Sequence, residues 1–186
     1  MKRCFDILAS LLALAFFSPL LLIISLCIKL TSPGPIIFWS DRIGRNNKIF
    51  AMPKFRSMSI NTPSIATDLM KDPKQWITPL GALLRKTSLD ELPQLWSILR
   101  GDMSVVGPRP ALYNQYKLIE LRTNVGIDVL RPGLTGWAQV NGRDDLSIEK
   151  KISLDQHYLE TKSFKFDIYI IWLTLIKVIK LDGVSH

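Results

Sequence analysis

ILASLLALAFFSPLLLIISLCIKL, residues 7–30, runs without a charged side chain until Lys29. Such a run satisfies the ~20 apolar residues needed to cross a bilayer core. It is longer than the ~7–15-residue apolar region of a signal peptide, and no small-residue cleavage site follows it. Two features argue against a plain transmembrane anchor. Pro19, after Ser18 in the middle of the run, cannot donate to the carbonyl of Ala15, and its ring crowds that turn. Lys2 and Arg3 precede the run, while Lys29, Arg42, Arg45 and Lys48 follow it, so the positive-inside bias places both flanks on the cytoplasmic side. A helix–break–helix hairpin that enters one leaflet and returns satisfies both, with the freed carbonyl met by Ser18 or by packed protein. Spanning helices also tolerate proline, so these residues alone leave a spanning anchor and a re-entrant hairpin both open.

The remainder reads as one ordered domain. The chain has 186 residues, 47% hydrophobic and 22% charged, enough for a sizeable core. Its net charge of +8 points to an anionic partner such as a membrane surface, a phosphorylated substrate or nucleic acid. Cys4 and Cys27 form no disulfide framework or zinc motif, which suggests a reducing compartment. His157 and His186 stand alone, and His157 is expected to be structural or on the surface.

Residues 36–39 follow a Pro/Gly turn and predict a strand, and KIFAMPKFRSM, residues 48–58, predicts a second one carrying basic residues. Residues 59–79, with three prolines, predict a surface loop. Helical periodicity returns over 89–99 and 111–122, where Leu112, Tyr116 and Ile119 share a face. The C-terminal FDIYIIWLTLIKVIKL, residues 166–181, is apolar but closes on Lys177 and Lys180. It predicts a helix in the membrane interface or packed on the domain.

SLDELPQLW, residues 88–96, sets two adjacent carboxylates against a proline. Ser88 and Glu91 have the spacing of a capping box, a purely structural role. Pro93 opposes it: as the fifth helical residue it would cost an internal hydrogen bond, and it pushes Leu92 away from helical angles. The helix is then expected to start near Pro93, with Asp90 and Glu91 at its lip. Four arginines lie in turn-rich contexts: Arg85, Arg109 between two prolines, Arg131 before a proline, and Arg143 after a glycine. Rigid backbone lowers the entropy lost in aiming a side chain, and guanidinium matches phosphate oxygens in a bidentate way. Beside an acidic pair they suggest a site for a charged diphosphate. Mg2+ suits it, since it takes few carboxylates and keeps substrate phosphate oxygens as ligands.

SPGPIIFWSDRIG (32–44), PKFRSM (53–58), LRKTSLDELPQLWSILRGDMSVVGPRP (84–110) and RPGLTGWAQVNGR (131–143) resemble the signature blocks of bacterial sugar transferases. More narrowly, the chain resembles the monotopic polyprenyl-phosphate phosphoglycosyl transferases in their short form, little more than a catalytic domain. The resemblance implies transfer of a sugar phosphate from a UDP-sugar to undecaprenyl phosphate, with release of UMP. It implies a re-entrant helix broken at Ser18-Pro19, Asp90 as the nucleophile forming a covalent phosphosugar intermediate, and Glu91 helping to hold Mg2+. Lys54 matches a basic residue near the site. Arg85, Arg109 and Arg143 match phosphate- or nucleotide-contacting arginines, with Arg131 doing the same or bracing its loop. Asp155 aligns with an acidic residue that assists the metal. One departure stands out: Asp144-Asp145 follows VNGR where the family often has Asn, which bears on sugar or nucleotide preference.

The expected architecture is therefore an α-rich α/β chain. A re-entrant hairpin in 1–31 is followed by a compact cytoplasmic catalytic domain in 32–186 with a short β-hairpin and interfacial amphipathic helices. The expected place is the cytoplasmic face of the bacterial inner membrane, with the lipid bilayer, UDP-sugar and undecaprenyl phosphate as partners and downstream glycosyltransferases consuming the product. Two rivals remain. A conventional UDP-sugar glycosyltransferase would need a DxD motif, which RDD replaces poorly. A non-catalytic adaptor on anionic lipid explains charge and anchor but not the acidic pair. Nucleic acid is not expected, because aromatics are not interleaved with basic residues.

Overall fold

The computed structural model describes residues 1–62, 72–142 and 145–180. Helices dominate. The first, α1 (Lys2–Thr31), leads into an antiparallel hairpin of β1 (Ile37–Ile43) and β2 (Ile49–Phe55), paired from Ile37↔Phe55 to Ile43↔Ile49. Its connection turns through Asn46 and Asn47 in the left-handed region, which asparagine tolerates. A short helix, α2 (Pro79–Lys86), begins where the Thr78 hydroxyl accepts the Gly81 N–H at 2.9 Å with Pro79 just inside.

The helix expected over 89–99 is split. Ser88 takes a left-handed φ of 56° and makes no side-chain cap. A 3-10 turn then spans Leu89–Glu91, and α3 (Gln94–Arg100) starts behind Pro93. The capping box is thus not formed, and the acidic pair sits just ahead of the helix as Pro93 dictates.

Next come β3 (Ser104–Val106), α4 (Tyr116–Asn124), β4 (Gly133–Thr135), the single turn α5 (Trp137–Val140), α6 (Ile148–Thr161) and α7 (Phe164–Lys180). The helix expected from residue 111 starts at Tyr116 instead, because Ala111 and Leu112 are extended. The Ala111 carbonyl accepts the Ile43 N–H, and Leu112 bridges Arg42 on the hairpin. The parallel pair β3–β4 was not foreseen; it joins Ser104 to Gly133 and Val106 to Thr135. Its closeness depends on glycine: a Cβ on Gly133 would collide with the Gly107 backbone, and one on Gly136 with the Gly107 carbonyl.

The core runs as three adjoining clusters. Ile24, Ile28, Phe55 and Leu84 form the first, Met52, Leu95, Ile98 and Met103 the second, and Val106, Val140, Tyr158 and Ile170 the third. α1 contributes to two of them, since Ala13 and Leu14 reach the second. The expected interruption of α1 is not seen. The helix continues through Pro19, and the Ser18 hydroxyl donates to the Ala15 carbonyl at 2.9 Å, supplying the partner that Pro19 cannot. At ~1.5 Å per residue α1 is roughly 45 Å long. Both of its ends dock on the rest of the chain. Arg3 donates to the carbonyls of Ile98 and Leu99 and the buried Asp6 accepts from Ser104, while at the far end Ile28 is in the core and Arg56 donates to the Ser32 carbonyl. Leu8, Leu12, Phe16, Leu22 and Leu30 face outward.

α7 packs on the body, the second of its two expected placements, and leaves an apolar face outward. Asp167 and Ile170 are buried against the body, while Ile168, Tyr169, Trp172 and Leu175 are exposed. Replacing Gly133 with Ala is expected to cost about 1–3 kcal/mol through overpacking against Gly107. Equilibrium denaturation of the detergent-solubilised protein measures this, and an unchanged stability would show that the two loops need not touch.

Candidate active site

Strand alternation brings the first basic group to the acidic pair. Residues two apart on a strand share a face, so Lys54 and Met52 lie on one side of β2 with their partners Phe38 and Ser40, and Arg42 continues that face on β1. The Lys54 ammonium donates to Glu91 Oε1 at 2.8 Å. A second cation reaches the same oxygen from the loop after β3: Arg109 Nη2 lies 3.4 Å from it. Glu91 is 8% exposed and Asp90 7% exposed, so both carboxylates are largely out of water. The two are not equivalent. Glu91 is held by Lys54 and Arg109, whereas no hydrogen bond or ion pair among the described residues engages the Asp90 carboxylate.

The electrostatics follow from this burial. Desolvation raises the pKa of Asp90 above the usual aspartate value. Lys54 pulls it down, Glu91 pushes it up, and Arg85 and Arg109 pull it down. Lys54 is shifted the other way, its pKa lowered by burial against the attraction of Glu91, with Arg109 and Arg42 also disfavouring its charge. Among the described residues the site thus sets two acids among Lys54, Arg85, Arg109 and Arg42 within one electrostatic neighbourhood. The positive field comes from these side chains. α3 has only seven residues, so its dipole adds little.

Of the residues singled out in the sequence, Lys54, Arg85, Asp90, Glu91 and Arg109 come together. Arg131 does not: its Nε donates to the Gly101 carbonyl at 2.9 Å, at the opposite end of α3, which is the bracing alternative. Arg143 and Asp144 lie outside the described residues. Asp155, expected beside the metal, is instead 1% exposed and ion-paired with Arg122 at 2.6 Å. The reason is tertiary: α6 packs on α4, and Arg122 is the charge that α4 offers it. Arg122 also donates from Nη1 to the Arg109 carbonyl at 2.8 Å, so the pair braces the loop carrying Arg109. Among the described residues no three His, Cys, Asp or Glu groups cluster for a metal, which leaves Asp90 and Glu91 as the candidate protein ligands.

Sequence reading missed Arg42 and Arg122. Alternation along SDRIG could have placed Arg42 on the Lys54 face, whereas nothing local marks Arg122.

Breaking a buried ion pair by removing one partner costs about 3–5 kcal/mol. Asp155→Ala is accordingly expected to lose stability on that scale while leaving the Mg2+ concentration for half-maximal activity unchanged. A shift in that metal titration would return Asp155 to the metal.

The model of the family described as Bacterial sugar transferase matches residues 1–181. The chain is 44% identical over 191 residues to the UDP-glucose:undecaprenyl-phosphate glucose-1-phosphate transferase of Escherichia coli K12, across 95% of this chain and 40% of that protein. It is 38% identical to the undecaprenyl-phosphate galactose phosphotransferase of Salmonella typhimurium, across 98% of this chain and 41% of that protein. Similarity to an uncharacterized sugar transferase of Bacillus subtilis, EpsL, is 39% and covers all of this chain and 91% of that one. The chain thus spans about two fifths of the length of the Escherichia coli and Salmonella relatives. With the acidic pair, its basic neighbours and a family match over nearly its full length, the chain belongs to the bacterial sugar transferases.

Proposed function

We propose that the chain transfers a sugar 1-phosphate from a UDP-sugar to undecaprenyl phosphate and releases UMP. The observation carrying this reading is the asymmetry of the acidic pair: Glu91 is engaged by Lys54 and Arg109, and among the described residues no donor engages Asp90. A carboxylate is a weak nucleophile towards a diphosphate, and cations that offset anion–anion repulsion are what it needs. Asp90 attacks the phosphorus bearing the sugar. The bond from that phosphorus to the bridging oxygen breaks, and UMP leaves with the electron pair. The phosphate oxygen of undecaprenyl phosphate then attacks the same phosphorus, releasing the Asp90 carboxylate and forming the lipid diphosphosugar. One site thereby serves a soluble and a lipid-borne substrate in turn.

Lys54 and Arg109 fix the Glu91 carboxylate, and Arg85 and Arg109 contribute positive charge towards Asp90 and the phosphate oxygens. The residues also fit Mg2+: a buried carboxylate without a donor among the described residues, beside a second one, meets its demand for few protein ligands, and Asp90 and Glu91 would hold it together with substrate oxygens. Bound there, it would further offset the charge gathering at phosphorus. The reaction would begin assembly of a membrane-linked glycan such as O-antigen, capsule or exopolysaccharide, with downstream glycosyltransferases taking up the product.

The same reading assigns residues 1–31 to a membrane-embedded segment that does not span, continuous through Pro19, and the rest to a catalytic domain on the cytoplasmic face of the inner membrane. α1 supports it. A helix whose two ends dock on one body cannot deliver them to opposite sides, and its outward face is apolar.

The test is the solubilised protein with a panel of UDP-sugars, undecaprenyl phosphate and Mg2+. UMP is the expected product; UDP would indicate a conventional glycosyltransferase, and no release from any donor a lipid-binding adaptor. Asp90→Asn is expected to abolish turnover and the aspartyl adduct detected by mass spectrometry. Because burial opposes the ionised Asp90, the same variant should melt no lower than the parent in metal-free buffer at neutral pH. Glu91→Gln is expected to lower the rate and raise the Mg2+ requirement together; an unchanged metal titration would remove Glu91 from the metal.

A further inference from the structure

A cavity of about 580 Å³ lies where the start of α1 meets the start of α7, and none of Lys54, Arg85, Asp90, Glu91 or Arg109 lines it. Two buried carboxylates stand in its wall, and both are already satisfied. Asp6 accepts from the Ser104 hydroxyl at 2.9 Å and the Val105 N–H at 3.0 Å. Asp167 accepts from the Tyr158 hydroxyl at 2.6 Å and the Lys2 ammonium at 2.7 Å, which accounts for Lys2.

The other cations of the wall are Arg3, Arg45, Arg131 and Lys162, and among the described residues none is within ion-pair distance of a carboxylate. Arg3 and Arg131 are fixed by neutral oxygens, Arg3 on the Ile98 and Leu99 carbonyls and Arg131 on the Gly101 carbonyl. Both side chains are held in place without an ion pair among the described residues, and Asp6, satisfied by neutral donors, is the one wall carboxylate without a cation of its own, so the wall stays net positive. Four positive charges around one concavity make an anion site, and two of them are already immobilised. Arginine with lysine in such an array suits phosphate oxygens.

The surroundings indicate where the phosphate comes from. Phe164 lines the cavity and is half exposed, and beyond it α7 presents Ile168, Tyr169 and Trp172 outward. On the other side α1 continues into exposed Leu8, Leu11 and Leu12. The basic concavity is therefore bordered by apolar and aromatic surface, the arrangement that meets headgroups above acyl chains.

We propose that this cavity binds the phosphate of an anionic membrane phospholipid, at a position separate from the reacting phosphates. The proposal rests on the membrane reading above but not on the chemistry at Asp90. Native mass spectrometry of the full chain in detergent, without nucleotide sugar, tests it with short-chain phosphatidylglycerol, phosphatidylcholine and inorganic phosphate as probes. The parent should retain phosphatidylglycerol over phosphatidylcholine, and inorganic phosphate should not displace it at equal concentration. Each basic residue near an anionic lipid contributes roughly fivefold, so Arg45→Gln with Lys162→Gln, both exposed positions, should cut that preference at least about tenfold. Lys48→Gln with Lys150→Gln removes the same charge outside the cavity and should leave the preference intact. No preference in the parent, an equal loss in both double variants, or displacement by inorganic phosphate would each overturn the proposal. Because the readout is lipid retention, it is independent of whether UMP is released.

Discussion

Glu91 accepts from Lys54 and Arg109, and that shared oxygen ties together three segments that are remote in the chain: the hairpin, the 3-10 turn and the loop after β3. Ionised groups out of water cost several kcal/mol each unless they are paired. None of the three can therefore adopt its position without the others. The same contact separates the roles of the acidic pair. Glu91 takes up Lys54 and Arg109, and Asp90 is left buried beside positive charge, without a bond of its own among the described residues. The left-handed Ser88 just before the turn is the backbone cost of this arrangement, of order 1–2 kcal/mol for a residue with a Cβ. Strain of this kind persists where surrounding packing over-determines it.

Support for the site comes from polar groups buried further out. Asp155 and Arg122 brace the loop carrying Arg109 from behind, so a carboxylate paired away from Asp90 and Glu91 still bears on where Arg109 stands. The parallel pair β3–β4 brings that loop against the segment bearing Arg131. It does so through backbone contacts at Gly107, Gly133 and Gly136 that no side chain could replace.

α1 combines two behaviours. Its outward residues are apolar, yet Asp6 is buried where a lipid-facing helix would carry none, and it accepts from β3. Arg3 donates to two carbonyls at the end of α3, where Ile98 also accepts from the Gly101 N–H. The helix is thus fastened by polar contacts at its start and by Ile24 and Ile28 near its end. Ser18 repairs the gap at Pro19, and the ladder continues through a residue that, by sequence logic, interrupts it.

Local physics was readable directly from the chain. Apolar length marked α1, the Pro/Gly turn and the two short runs after it marked the strands of the hairpin, and Pro93 marked the start of α3 behind the acidic pair. The run of motifs around Asp90, Glu91 and Lys54 identified the family, and these residues do meet. What the sequence could not carry was any partner chosen across distance. Asp155 and Arg131 are a carboxylate and an arginine like those at the site, but one is claimed by Arg122 thirty-three positions away and the other by a backbone carbonyl. Residue type and turn context determine what a side chain is able to bind. Only the packing of α6 on α4 and of the two glycine-rich loops decides which group is close enough to be bound, because ion pairs and hydrogen bonds act over a few ångströms and chain separation says nothing about them.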